Sequence, residues 1–143
     1  MIMDRTLLFS DRQAITATAA STNLVDLGAT GTVYGSASPV VRDIGNGEAI
    51  PLHCGVTESF NNLTSLIISI EVDDNASFSS ATTVFTSPTY TLAQLAAGAK
   101  KLLPDTLPIG VNERYVRLKY TVAGTAPTLG RITAGVTMGN QQA

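Results

Sequence analysis

The chain has 143 residues with one histidine, one cysteine and no tryptophan; 14% are Asp, Glu, Lys or Arg, and the net charge is −2. Ordinary globular chains carry about 25% charged residues. The surface of this one is therefore mostly Ser, Thr, Asn, Gln and apolar groups, which suits contact with other protein or a small β-domain solvated by its hydroxyls. The near-neutral balance speaks against nucleic acid or an acidic membrane as partner, because both need clustered positive charge. A lone cysteine rules out an internal disulfide. The length fits one domain over residues 1–143, and a globule of this size buries about 70% of its unfolded surface without staples.

In chain order, the N-terminal stretch MIMDRTLLFSD breaks its apolar residues with Asp4 and Arg5, so no targeting segment is expected. Residues 1–10 read either as a clamping arm or as a first core strand with Leu7, Leu8 and Phe9 inside. Ile15, Ala17 and Ala19 alternate with Thr16 and Thr18, which predicts a small-residue strand; residues 23–27 predict another, closed by Gly28. Residues 28–39 hold three glycines and a proline and read as a loop, followed by a tight turn at RDIGNGE. Residues 49–57 alternate as a strand in which Pro51 marks a start or an edge.

The strongest strand signal is 63–73, with Leu66, Ile68, Ile70 and Val72 inward and Ser65, Ser69 and Glu71 outward. DDNASFSS is expected to form a turn held by side-chain bonds, with Phe78 tucked back as an anchor. Residues 82–86 are β-branched and read as a strand, 92–99 as a turn or two of helix, and 100–109 as broken by Pro104 and Pro108. No stretch is long and apolar enough to span a bilayer; a soluble, cytoplasmically made chain is expected. Finally, Val116, Leu118, Tyr120 and Val122 share one strand face, and Tyr115, Arg117 and Lys119 the other. Ile132, Ala134, Val136 and Met138 repeat the pattern after the loop AGTAPTLG, which predicts a terminal hairpin. About eight antiparallel strands with long connections point to an all-β, single-domain sandwich with Greek-key or jelly-roll crossings.

The chemical inventory is small. His53 and Cys54 are adjacent, so on a strand they point to opposite faces and cannot form a couple. Glu71, Asp73, Asp74 and Asn75 match no calcium loop and read as turn caps. The glycines lack the lysine and hydroxyl of a phosphate loop. No catalytic constellation, metal site or cofactor site is expected. Arg117 and Lys119, beside Tyr115, read either as a solvated strand face or as a docking face, since Arg and Tyr anchor interfaces.

The stretches LFSDRQAITATAASTNLVDLG, RDIGNGEAIPL, RYVRLKYTVAGT and GRITAGVTMG occur in that order and span nearly the whole chain. In them the chain resembles the cement, or decoration, proteins on the capsids of short-tailed bacteriophages of the Bordetella phage type. The resemblance implies a jelly-roll β-sandwich without enzyme activity, forming a homo-oligomer (dimer or trimer). It implies a seat on the outer capsid surface of the virion, with the major capsid protein as partner. On that reading Leu7, Leu8 and Phe9, together with Tyr115, Arg117 and Lys119, are the candidate capsid or subunit contacts. The alternative is a head-borne adhesive or glycan-binding module, for which Tyr34 and Tyr90 are the candidate aromatics; the absence of tryptophan counts against it.

Overall fold

The structure, a computed structural model, describes residues 2–139. Its strands are β1 (Met3–Ala14), β2 (Ala19–Ala20), β3 (Val25–Asp26), β4 (Leu52–Glu58), β5 (Leu63–Asp73), β6 (Thr82–Thr86), β7 (Tyr90–Thr91), β8 (Tyr115–Gly124) and β9 (Arg131–Thr137). They form two antiparallel sheets. Sheet A has the order β1-β9-β4; sheet B has the order β2-β8-β5-β6, with β3 also on β8 and β7 also on β5. The expected all-β sandwich forms. The chain passes between sheets after β1, β3, β4 and β8, as a Greek-key-like path requires.

Period-two patterning places the core. Leu66, Ile68, Ile70 and Val72 of β5 pack beside Val116, Leu118 and Tyr120 of β8, and across from them lie Phe9, Cys54, Val56, Ile132 and Ala134 of sheet A. One polar thread crosses this core. The Tyr120 hydroxyl donates to Ser10 Oγ at 2.7 Å, and Ser10 Oγ donates to Gln13 Oε1 at 2.6 Å. Gln13 in turn donates to the Ala20 carbonyl and accepts from the Thr22 N–H. A buried hydroxyl on each sheet is thereby satisfied by the other.

The terminal strands form where expected but do not make a hairpin. β8 pairs with β2, β3 and β5, whereas β9 pairs with β1 and β4. The 125–130 loop is a β-arch that carries the chain from one sheet to the other, so the two apolar faces meet across the core instead of lying side by side. Gly130 sits at φ +130 where a Cβ would overlap the Phe60 ring, and this tight passage ends the arch.

Other expectations shift in detail. Residues 15–18 bend instead of forming a strand, because the chain there crosses from β1 to β2, with Ile15 fully buried at the crossing. The β4 strand begins just after Pro51, which bridges to Thr106 and accepts from the Thr137 N–H through its carbonyl. The helix-like segment reduces to one 3-10 turn, Leu92–Gln94. Residues 3–14 form a strand: β1 pairs with β9 at Met3, Leu8, Ser10, Gln13 and Ala14, and Phe9 is 2% exposed. Three register shifts and the left-handed Arg12 (φ 47) bulge this edge strand, a device that discourages edge-to-edge pairing. The other edge of sheet A is covered, since Ala99, Leu102 and Asp105 exchange backbone hydrogen bonds with β4.

Candidate functional site

The outward face of sheet B carries the charge. Antiparallel register sets Arg117 opposite Glu71, Tyr115 opposite Asp73, and Lys119 opposite Ser69. Glu71 was expected to face outward and does, but its carboxylate is covered by its neighbours. Arg117 donates to Glu71 Oε2 from Nε at 2.8 Å and Nη2 at 2.7 Å, while Lys119 Nζ lies 3.5 Å from Oε1. One carboxylate thus holds two cations, one directly across and one diagonal, the two cross-strand positions within reach. The remaining face of the Arg117 guanidinium lies 4.1 Å over the Phe78 ring, a cation–π contact.

The turn that follows β5 supplies that ring. Asp73 accepts from the Asn75 N–H, the Ser80 N–H and the Ser80 hydroxyl. Backbone donors, Asn75 first, hold its carboxyl below the ordinary range. Asn75 Oδ1 accepts from the Ser77 N–H. This pins the turn so that Phe78 takes φ 52, unusual for a bulky residue, and folds back over the sheet as an anchor. The acidic cluster therefore acts as a turn cap. Among the described residues no group of three or more His, Cys, Asp or Glu is placed to hold a metal ion.

Beside this platform runs an open groove of about 740 Å³, lined among others by Arg5, Thr6, Leu24, Ala76, Phe78 and Arg117. Asp26 also lines it and pairs with Arg114 through two bonds of 2.8 Å. Those bonds, then the Gly28 N–H, bring the Asp26 carboxyl down to about 2. The Arg114 guanidinium sits 4.9 Å from the Tyr115 ring.

Of the residues singled out from sequence, Tyr115, Arg117 and Lys119 share one face, and Arg117 alone of the three lines the groove. Leu7 and Phe9 lie elsewhere, lining an apolar cavity of about 200 Å³ inside the sandwich. Leu8 packs against β9 at Gly135. The two sets do not form one surface; β1 links them, since its Arg5 and Thr6 border the groove. Tyr34 is fully exposed on a loop. Tyr90 belongs to β7, and its hydroxyl donates to the Leu102 carbonyl at 3.0 Å. His53 and Cys54 point to opposite sides of β4 as expected. Burial pushes the Cys54 thiol up to about 12, while burial and then Lys100 lower His53.

Sequence reasoning missed Glu71 as the shared counter-ion, because its partners come from a strand 46 positions away. It also missed the Arg114–Asp26 pair and the wall that Arg5 and Thr6 give the groove.

Fold and face together define an antiparallel β-sandwich with an ordered, charged outer surface. The chain belongs to the Bbp16 family, whose model matches residues 9–136. The family name fits a protein of a Bordetella phage. Among curated proteins none matches the chain.

Proposed function

We propose that this protein is a non-enzymatic structural component of the virion: a cement or decoration protein. It binds the outer surface of the phage capsid as a homo-oligomer, bridges neighbouring major capsid subunits and stabilises the mature head. The observation that carries the reading is the Glu71–Arg117–Phe78 platform beside an open groove, in a chain whose family name points to a phage. An Arg held by a buried carboxylate and an aromatic ring is rigid before contact, so little side-chain entropy is lost on docking. Arg is also a residue type that anchors interfaces.

Stabilisation follows from linkage. A protein that binds the assembled shell and not its separated subunits adds about 4 kcal/mol per site when its free concentration is a thousandfold above Kd. An oligomer engages several sites together, and effective concentration multiplies modest contacts.

The test is co-sedimentation of the purified protein with expanded shells that lack it, followed by heating. Saturable binding at a fixed ratio to capsid subunits and a raised shell melting temperature are expected. Arg117→Gln, which leaves an amide donor beside the buried Glu71 carboxylate, is expected to weaken binding at least tenfold, with circular dichroism to verify the fold. Failure of the wild-type protein to bind intact shells overturns the reading and makes glycan screening the next step.

A further inference from the structure

The turn ahead of β4 carries chemistry that the sheets do not. Asn46 and Gly47 form the single Asn-Gly pair in the sequence, and they lie in the exposed stretch 46–49. Gly47 takes φ +129, and no atom lies within 4 Å of where its Cβ would be. L side chains rarely adopt that backbone, so the turn requires glycine there. The same glycine leaves its amide nitrogen unshielded, next in the chain to the Asn46 carboxamide.

Other asparagines are held or shielded. Asn61 donates from Nδ2 to Thr128 Oγ1 at 2.8 Å, and its Oδ1 accepts from the Thr128 and Leu129 N–H groups. Asn75 Oδ1 accepts from the Ser77 N–H and hydroxyl. Asn23, Asn62 and Asn112 precede Leu24, Leu63 and Glu113, whose side chains crowd the amide that follows. The Asn46 N–H bonds to the Asp43 carbonyl at 3.2 Å, but among the described residues no hydrogen bond restrains its carboxamide.

We propose that Asn46 is a self-modification site: it deamidates through a succinimide to isoaspartate and aspartate, and the chain gains a carboxylate on this turn while keeping its fold. The Gly47 nitrogen gives its proton to hydroxide and attacks Asn46 Cγ. A C–N bond forms and the Cγ–Nδ2 bond breaks. Nδ2 takes a proton from water and leaves as ammonia, which restores the hydroxide. Water then opens the ring, at the side-chain carbonyl to give aspartate or at the main-chain carbonyl to give isoaspartate. Asparagine is a thermolabile residue, and each event replaces a neutral amide by a negative charge in a chain already at −2.

The fold survives because its anchors lie on either side. Asp43 Oδ1 accepts from the Gly45 N–H at 3.0 Å, and Oδ2 from the Gly110 N–H at 2.8 Å. The Ile44 N–H bonds to the Val111 carbonyl, and the Leu107 N–H to the Ile50 carbonyl. None of these bonds uses an atom of residues 46–49. The extra main-chain methylene of isoaspartate is therefore confined to exposed backbone between two fixed points. Neither Asn46 nor Gly47 lines the groove, and capsid docking plays no part in the reaction.

The test incubates the full chain at mildly alkaline pH and samples it over time. Peptide mass spectrometry, with fragmentation that separates isoaspartate from aspartate, locates each conversion. Loss of the amide is expected first at Asn46, ahead of every other asparagine, faster as pH rises and with isoaspartate in excess. Another asparagine converting while Asn46 keeps its amide overturns the site. Aspartate without isoaspartate overturns the succinimide route. The converted fraction, separated by anion exchange, is expected to match the unmodified protein in circular dichroism and melting temperature; an unfolded fraction overturns the anchoring by Asp43.

Discussion

At the residue scale, the Ser10–Tyr120 bond shows how direction decides cost. Ser10 spends its single proton on Gln13, so Tyr120 is the donor. Tyr120→Phe removes the donor and leaves Ser10 still bonded to Gln13; a loss of about 1 kcal/mol is expected. Ser10→Ala strands a buried phenolic O–H and is expected to cost more, about 1–3 kcal/mol. Urea denaturation of both variants measures the order, and equal or reversed costs would assign the proton differently. Burial drives the Tyr120 phenol far above its ordinary range, so this bond persists to strongly basic pH. Nothing in the local sequence reveals such a pair, because its members are 110 positions apart.

At the element scale, alternation made β4, β5, β6, β8 and β9 readable, since each buries one face and the period of two is printed in its apolar residues. The path between them was not readable. An arch and a hairpin use the same two amphipathic strands and a similar polar loop; they differ in whether the strands share backbone hydrogen bonds or face each other through side chains. The two-residue strands β2, β3 and β7 exist only because β8 and β5 offer paired edges. Likewise, the face of the candidate site was visible in Tyr115, Arg117 and Lys119, but its organisation was not, because Phe78 reaches it through a left-handed turn. Gly130 is where the arch is most sensitive. Gly130→Ala adds a Cβ into the Phe60 ring at a φ that L-residues rarely adopt. A loss of about 2–4 kcal/mol is expected in thermal or urea unfolding, whereas Gly31→Ala, with open space around it, is expected to change stability little.

At the scale of the whole molecule, acid acts on several groups in the same sense. Asp4, Asp26 and Asp73 are all held below their ordinary value of 3.8, Asp26 at about 2. Below about pH 4 the unfolded chain therefore binds more protons than the folded one. The stability these carboxylates supply is complete above 3.8 and is lost as pH falls through the lower folded values. His53 adds to the loss from about 6.5 downward, because burial lowers its folded value and the unfolded chain protonates first. Melting temperature is expected to decline gently below pH 6.5 and more steeply below 4. In Asp26→Asn the steep part is expected to shrink, and an unchanged profile would remove that pair from the account. The β8–β9 arch has a consequence of a different kind, in time. β9 is the middle strand of sheet A, and β1, made first, pairs with no other strand there. Until residue 137 has left the ribosome, half of the sandwich has nothing to close on. Sheet B can assemble from residues up to 124, leaving its apolar face bare while the remainder emerges. Sheet A therefore closes after sheet B, and the most aggregation-prone moment is expected in the interval between the two.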